Sequence, residues 1–220
     1  LAGYIDVEKV SGGKLSSDPM SCFEHWAEVC KVATNLSQAD ESSAIELDAN
    51  KLECPVPRPR QIFAIGINYK AHAAEMNNPL PKEPLVFTKF QSSLNSPNGA
   101  LTLVGEKCDF EAELVAVIAK GGRNISASEA WGHVAGLCVG QDVSDRALQY
   151  ANTPPQFSLG KSRAGFTPIG PWITDAASLT TRSNLEMTCR VSGEIMQHTQ
   201  TDDMIFEIPE IIRYLSSICE

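Results

Sequence analysis

The chain runs Cys108-Asp109-Phe110-Glu111-Ala112-Glu113-Leu114-Val115-Ala116-Val117-Ile118-Ala119-Lys120, and this stretch predicts the centre of the fold. Its first half alternates, so in a strand Asp109, Glu111 and Glu113 would point to one face. Its second half is an unbroken apolar run, which is typical of a strand covered on both faces. We therefore predict a buried strand that carries three carboxylates at its N-terminal end.

These three carboxylates would repel one another strongly. Alternate residues of a strand lie roughly 6.6 Å apart. At an effective dielectric constant of about 20, the group would carry on the order of 6 kcal/mol of repulsion, which is comparable with the net stability of a domain. The carboxylates must therefore be solvated, partly protonated or neutralised by a cation. A solvated strand face is the more common explanation of the pattern alone.

Length and composition indicate an ordinary globular protein. The 220 residues fit one large domain, or one domain with a small appendage, and 43% of them are hydrophobic and 20% charged. The net charge of -9 argues against a nucleic-acid partner. We also expect no membrane partner, because no apolar run approaches the length of a membrane span. The first residue is Leu1 rather than Met, so we expect the sequence to have been trimmed at its start.

The seven cysteines give no metal or redox motif. They are widely spaced, odd in number and without a C-x-x-C pair. Several lie in apolar runs and are interpreted as small buried hydrophobes. A reducing, cytoplasmic location is the natural expectation for such a chain.

A proline-rich connector divides the chain. Residues 55–60, Pro-Val-Pro-Arg-Pro-Arg, cannot form a helix or a central strand, so we predict a small N-terminal domain over residues 1–54 and a main domain over residues 55–220. In the main domain we predict a strand over residues 61–67 and a helix over residues 69–76 with Asn68 as its cap. Further elements are a hairpin from Leu185 that turns at residues 192–194, and a terminal helix over residues 208–219.

Several polar residues could carry chemistry. Asp142 follows a second apolar strand, and together with Glu111 and Glu113 it would offer oxygen ligands only, which favours Mg²⁺ or Mn²⁺ over Zn²⁺. His72 and Glu75 are three residues apart and share a helix face. Taken singly, each has a simpler interpretation: Asp142 as a turn carboxylate, Lys161 as a solvated surface lysine, and His72 with Glu75 as a helix-surface pair.

In combination these residues resemble the fumarylacetoacetate hydrolase family, over about residues 55–218. Residues 65–76, with Gly66, Asn68, Tyr69, His72 and Glu75, are similar to its G-x-N-Y-x-x-H-x-x-E signature. The remaining matches, in chain order, are Asp109-Phe110-Glu111-Ala112-Glu113-Leu114 with its acidic metal strand, Gln141-Asp142-Val143-Ser144-Asp145-Arg146 with its third-ligand turn, Gly160-Lys161-Ser162 through Pro168-Ile169-Gly170-Pro171 with its K-S…P-x-G-P segment, and Met204-Ile205-Phe206.

The resemblance implies a β-rich α+β fold, in which mixed sheets roll into a barrel-like core with short peripheral helices, and it implies a homodimer. It also implies Mg²⁺ (or Mn²⁺, with Ca²⁺ as a substitute in crystals) bound by Glu111, Glu113 and Asp142. The substrate would be a small-molecule 2-oxo or diketo acid, as in the catabolism of aromatic compounds.

The resemblance further implies roles for five other residues. The metal would stabilise the enolate released when a C–C bond of a 2,4-diketo acid such as an acylpyruvate breaks, and Lys161 would add positive charge beside it. Glu75 would orient His72, which would activate water as a general base. Arg146 and Gln149 would help to bind the substrate.

Three departures from the family pattern affect these expectations. Ala147 stands where an aspartate often follows the arginine, and residues 162–166, Ser-Arg-Ala-Gly-Phe, replace the more usual S-F-D-T-F. The chain stops at Glu220, whereas family members usually continue with a P-G-D strand and a T-G-T-P-x-G-V-G loop, so we expect it to lack a C-terminal segment.

The same site could instead serve as a 2-oxo acid decarboxylase, isomerase or hydratase. A non-catalytic, ion-stabilised scaffold is the alternative of a different class.

Overall fold

The computed structural model describes residues 3–77 and 79–220, and they form an α+β fold rich in strands. Its strands are β1 (Gly3–Tyr4), β2 (Ile45–Glu46), β3 (Phe63–Gly66), β4 (Leu85–Thr88), β5 (Leu94–Asn95), β6 (Cys108–Asp109), β7 (Ala112–Ile118), β8 (Val134–Gln141), β9 (Ser144–Asp145), β10 (Thr167–Asp175), β11 (Glu186–Val191) and β12 (Glu194–Gln200).

The helices are short and lie around these strands. They are α1 (Val7–Val10), α2 (Pro19–Glu24), α3 (Trp26–Thr34), α4 (Gln38–Ser42), α5 (Lys70–Glu75), α6 (Arg146–Gln149), α7 (Phe157–Gly160) and α8 (Ile208–Ile218), with 3₁₀ turns at Ala49–Lys51, Gln91–Ser93, Ala130–His133 and Thr201–Asp203.

A four-stranded mixed sheet in the order β5-β10-β8-β7 forms the centre. β8 pairs antiparallel with both β7 and β10, while β5 joins β10 in parallel. The other strands pair as two-stranded ribbons, β1 with β2, β3 with β4, β6 with β9 and β11 with β12. The predicted fold class is confirmed, although the strands of residues 3–77 and 79–220 form an open sheet and ribbons rather than a closed barrel.

Apolar clusters lie against both faces of the central sheet, as the apolar run after Glu113 predicts, although Val139 of β8 remains 52% exposed. On one face Val117, Cys138 and Ile169 pack with Phe23 of α2 and Val56 of the connector. On the other face Val134, Leu137, Ala176 and Ile208 form a second cluster, against which Leu114, Trp131 and Ile212 pack. α8 begins at a capping box formed by Glu207 and Glu210.

The N-terminal residues contact the main sheet directly. Phe23 of α2 is buried and lies in the same cluster as Val117 of β7, and Arg58 of the connector pairs with Asp18 at 2.9 Å. A separately folding domain over residues 1–54 remains a prediction, which the stability of a Phe23 variant can test.

Candidate metal centre

The candidate site forms where the acidic stretch passes the end of β8. Ala112 pairs with Gln141, and Cys108 pairs with Asp145 further along. Between these pairs the Asp142 amide donates to the Glu111 carbonyl at 2.8 Å. The predicted continuous acidic strand is therefore interrupted at Phe110 and Glu111. The cause is the partner strand: the Val143 amide donates instead to the Phe166 carbonyl at 3.1 Å, so the ladder is broken there.

This register brings the three predicted metal ligands together. Glu111, Glu113 and Asp142 each present one carboxylate oxygen, and the three oxygens lie within 4.8 Å of one another. Asp142 is 4% exposed. A set of carboxylate oxygens without nitrogen or sulfur suits a hard divalent cation, so the residues present fit Mg²⁺ or Mn²⁺.

Lys161 lies inside this cluster rather than on the surface. Its side chain is 3% exposed, and its ammonium group donates to Glu111 Oε2 and to Asp142 Oδ2, both at 2.7 Å. Its third bond goes to Ser144 Oγ at 2.9 Å. The simple interpretation of Lys161 as a solvated surface residue is therefore wrong. All three of its donors are in use, so the ammonium can reach a further oxygen only when one of these partners releases it.

Lys89 is a second buried cation, and no motif in the sequence indicated it. It follows β4 directly, is 5% exposed, and donates to Asp142 Oδ1 and to the Phe166 carbonyl. The available signal was a lysine within the apolar run Leu85-Val86-Phe87-Thr88-Lys89-Phe90, because such a run buries its alternate side chains. A buried lysine requires a carboxylate partner, and here that partner is Asp142.

Arg146 links the outer edge of the cluster to α6. Its guanidinium donates to Asp109 Oδ2 through Nε at 3.0 Å and through a terminal nitrogen at 2.7 Å, and to Glu111 Oε1 at 2.6 Å. The other terminal nitrogen donates to Gln149 Oε1 at 2.9 Å. Gln149 is only 2% exposed. Substrate binding by Arg146 and Gln149 remains a prediction, and it would require these contacts to rearrange.

Arg163, one of the departures from the family pattern, has a structural role. It donates twice to Asp145 Oδ2, at 3.1 and 2.8 Å. Asp145 in turn caps α6 through its other oxygen, which accepts the Leu148 amide at 3.0 Å. Arg163 therefore helps to hold the helix that presents Arg146.

The three candidate ligands differ in their electrostatics. Burial raises the pKa of Glu113 to about 8, and the neighbouring charges of Asp142 and Glu111 add to this effect. Burial also acts to raise the pKa of Glu111, but Lys161 and Arg146 outweigh it and hold that pKa below its ordinary value. Among residues 3–77 and 79–220, Glu113 forms no salt bridge with a basic side chain. A bound cation would supply that missing positive charge.

His72 and Glu75 lie on α5, outside this set of contacts. His72 Nδ1 is 3.5 Å from Glu75 Oε2, and the two side chains are 48% and 76% exposed. Tyr69, which immediately precedes α5, interacts with the cluster: burial raises its pKa to about 12, with the Glu113 charge as the next cause. The pairing of His72 with Glu75 is present, while their catalytic roles remain predictions.

Asn68 anchors the start of α5, although it does not cap the helix as predicted. Its side chain donates to the Phe206 carbonyl and accepts the Phe206 amide, both at 2.9 Å. The helix begins after Tyr69 without a side-chain cap, and the Ala71 amide donates to Asp203 Oδ2 at 3.0 Å. The segment around residues 203–206 therefore fixes the entry to α5.

Comparison with known proteins identifies relatives of this chain. The profile for "Fumarylacetoacetate (FAA) hydrolase C-terminal" matches residues 61–220. The bovine (Bos taurus) mitochondrial oxaloacetate tautomerase FAHD2A is 41% identical over 164 residues, which cover 74% of this chain and 52% of that protein. The chain thus spans about half the length of this curated relative, whose mitochondrial location leaves the cytoplasmic expectation a prediction.

Solved structures show the same fold. The crystal structure of a protein described as HpcE from Mycobacterium smegmatis is 40% identical, with a TM-score of 0.90 over 99% of this chain and 77% of that one. A maleylpyruvate hydrolase from Sphingobium, solved with manganese(II) and pyruvate, is 22% identical, with a TM-score of 0.79 over 99% of this chain and 78% of that one, and this likeness concerns the fold alone.

Within residues 3–77 and 79–220, the structure contains no helix that combines the length and apolar character of a membrane span.

The profile match extends over most of the chain and includes each of the residues that converge on the acidic cluster. This chain belongs to the fumarylacetoacetate hydrolase family.

Proposed function

We propose that the chain holds Mg²⁺ or Mn²⁺ through Glu111, Glu113 and Asp142 and acts on an anionic 2-oxo acid. The observation that carries the proposal is the convergence of these three carboxylates, with one oxygen from each within 4.8 Å of the others. The raised pKa of Glu113 supports the proposal, because Glu113 has no basic side chain as a salt-bridge partner and a bound cation would stabilise its ionised form.

The charges around the cluster indicate the kind of substrate. Four carboxylates, those of Asp109, Glu111, Glu113 and Asp142, are set against three basic groups, those of Lys89, Lys161 and Arg146. With every carboxylate ionised the group has one excess negative charge, and a divalent cation turns this into one excess positive charge. A carboxylate-bearing substrate is the natural partner of that charge.

The proposed chemistry is formation of an enolate. A divalent cation at this position supplies Lewis acidity toward the oxygens of a 2-oxo acid. The chain's own contribution is Lys161, whose ammonium can turn from Glu111 or Asp142 toward a developing oxyanion and stabilise it. Because Lys161 is buried, this interaction takes place with little competition from water.

The leading reaction is keto–enol tautomerisation of a 2-oxo dicarboxylic acid. The named activity of the bovine relative, oxaloacetate tautomerase, supports it. In this reaction a proton leaves the carbon beside the keto group and another returns to the enol oxygen, or the reverse, without cleavage of a C–C bond. A cation held by the acidic cluster, together with the ammonium group of Lys161, would supply the positive charge that stabilises an enolate.

The second candidate is hydrolysis of a C–C bond in a 2,4-diketo acid, and the His72–Glu75 pair favours it. Water would attack the distal carbonyl and lose a proton to His72, oriented by Glu75. The bond between the carbonyl carbon and the neighbouring methylene carbon would break, and the enolate so released would take up a proton to give pyruvate. The exposure of His72 is compatible with access to water.

A direct product assay separates the candidates. We would incubate the purified chain with Mg²⁺ and either oxaloacetate or acetylpyruvate, and follow the enol absorbance and the release of pyruvate. Loss of enol absorbance without pyruvate supports tautomerisation, whereas release of pyruvate and acetate from acetylpyruvate supports hydrolysis. Asp142→Asn should abolish either activity, and the exposed-lysine variant Lys82→Met should retain it. Cation binding without turnover of a wider panel of 2-oxo acids would instead favour a scaffold.

Two further properties belong to the proposal. All seven cysteines are free thiols, which supports a reducing compartment, either the cytosol or the mitochondrial matrix. A homodimer remains a prediction, and the mass of the protein in solution by light scattering tests it.

A further inference from the structure

Lys89 connects two parts of the fold that are far apart in the sequence. It follows β4, which pairs with β3, and β3 leads directly to α5. Its side chain crosses to Asp142 at the end of β8, where it donates to Oδ1, and to the Phe166 carbonyl at 3.0 Å. One buried ammonium therefore connects the β3–β4 ribbon with the central sheet.

The position of Lys89 limits what it can do. Its side chain is 4% exposed and that of Asp142 is 6% exposed. Lys89 is therefore enclosed by protein and acts through Asp142. This differs from the position of Lys161, which contacts both Asp142 and the partly exposed Glu111.

The two lysines divide the oxygens of Asp142 between them. Lys89 holds Oδ1, whereas Lys161 binds Oδ2 and, at the same distance of 2.7 Å, Glu111 Oε2. Lys161 therefore bridges Oδ2 of Asp142 and Oε2 of Glu111, a second candidate ligand. Asp142 could offer Oδ2 to a cation while its Oδ1 stays bonded to Lys89.

We infer that Lys89 is a positioning residue that makes Asp142 a single-oxygen ligand and so favours a small cation, Mg²⁺ or Mn²⁺, over Ca²⁺. Ca²⁺ takes more oxygens at longer distances and often binds both oxygens of a carboxylate, whereas Mg²⁺ requires a compact octahedral set. A carboxylate that is prevented from turning cannot offer Ca²⁺ its second oxygen. The inference rests on the proposed function, because it concerns selectivity at the same candidate site.

A simpler role for Lys89 gives a different result. If Lys89 contributed only its charge, removing it would change the affinity for Mg²⁺ and Ca²⁺ by a similar factor, since both ions are divalent. The ratio of the two affinities would then stay constant. If Lys89 fixes the carboxylate, its removal lets Asp142 turn, and the ratio shifts toward Ca²⁺.

The experiment is calorimetric titration of the EDTA-treated full chain with MgCl₂ and with CaCl₂. Lys89→Met removes the charge and both hydrogen bonds at nearly constant length, whereas Lys89→Arg keeps the charge and displaces the donor. Lys82→Met, at an exposed lysine of the loop before β4, is the matched control. We expect a rise of roughly tenfold in the Ca²⁺-to-Mg²⁺ affinity ratio for both Lys89 variants, the size typical of changes behind a metal ligand, and no change for Lys82→Met.

The outcomes distinguish the inference from the proposed function. A wild-type chain that binds neither ion overturns the proposed function and the inference together. A wild-type chain that prefers Mg²⁺, with an unchanged ratio in the Lys89 variants, overturns the inference alone. If Lys89→Met loses the native circular dichroism spectrum, Lys89→Arg decides the question, because it retains the buried charge.

Discussion

The ammonium nitrogen of Lys161 lies 2.7 Å from Oδ2 of Asp142, and the two side chains are 3% and 6% exposed. Removing one partner of such a buried pair destabilises the protein, because the remaining charge is left uncompensated in a medium of low dielectric constant. The stability of the fold and the chemistry of the candidate site therefore depend on the same residues.

Replacement of Lys161 by methionine should destabilise the protein. We expect the free energy of unfolding to fall by about 3 kcal/mol, the lower end of the range for a broken buried pair, because Lys89 still compensates Asp142. Urea denaturation followed by circular dichroism measures the change. The control Lys82→Met should stay within about 0.5 kcal/mol of the wild type. A Lys161→Met variant as stable as that control would contradict the buried geometry.

The stability of the metal-free protein should fall as the pH rises. The folded-state pKa of Glu113 is about 8, above its value of 4.5 in a model compound, so the folded chain keeps this proton when the unfolded chain has lost it. The resulting stabilisation is complete below pH 4.5 and is lost as the pH rises through about 8. In EDTA, the wild type should lose more unfolding free energy than Glu113→Gln between about pH 6 and about pH 8.

Saturating Mg²⁺ provides the control for that pH series. A bound cation would pair with the ionised form of Glu113. The difference in unfolding free energy between the wild type and Glu113→Gln should then no longer grow with pH. Parallel curves for the two proteins in EDTA would show that Glu113 titrates like an exposed carboxyl group.

His72→Ala should separate catalysis from folding. The side chain is 48% exposed, so the melting temperature and the affinity for Mn²⁺ should stay close to those of the wild type. If His72 is the general base for water, C–C bond hydrolysis should fall by about 10²–10⁴-fold, with a smaller loss for Glu75→Gln. Pyruvate release from a 2,4-dioxo acid measures the effect. Undiminished hydrolysis by His72→Ala would rule out this role.

Phe23→Ala tests the proposed boundary after residue 54. Phe23 lies in the same buried cluster as Val117, Cys138 and Ile169 of the central sheet, so its loss should lower the stability of the whole chain by about 3–5 kcal/mol in a single transition. Two separate unfolding transitions, of which only the first is sensitive to Phe23, would support an independent domain over residues 1–54. Differential scanning calorimetry distinguishes these results.

Local sequence signals predict much of this fold. The apolar run after Glu113 predicts β7, and the Ser192-Gly193 pair predicts the hairpin turn, where both residues adopt positive φ angles of 52° and 90°. The terminal helix is found over Ile208–Ile218, close to its predicted bounds. These features depend on residues near one another in the sequence, and for that reason they can be recognised without coordinates.

The remaining features depend on contacts between distant residues. Lys89 becomes a buried cation only because Asp142, 53 residues later, reaches it. The Asn68 side chain could cap a helix, but it bonds instead to the backbone carbonyl and the backbone amide of Phe206. These two bonds satisfy both backbone groups of a residue that is distant in the sequence. The break in the acidic strand likewise follows from the contact of Val143 with Phe166. A pattern of residue types along one strand carries no information on such partners.

The bond between Asn68 and Phe206 closes a span of 138 residues, and this has a consequence for biosynthesis. On the ribosome, the segment that carries His72 emerges early but cannot settle into place until Phe206 has left the exit tunnel, on the order of ten seconds later at roughly 10 residues per second. During that interval the nascent chain exposes an imidazole without its final setting. The segment around Asn68 should therefore reach its final contacts late in translation, after the first strands of the main domain have formed.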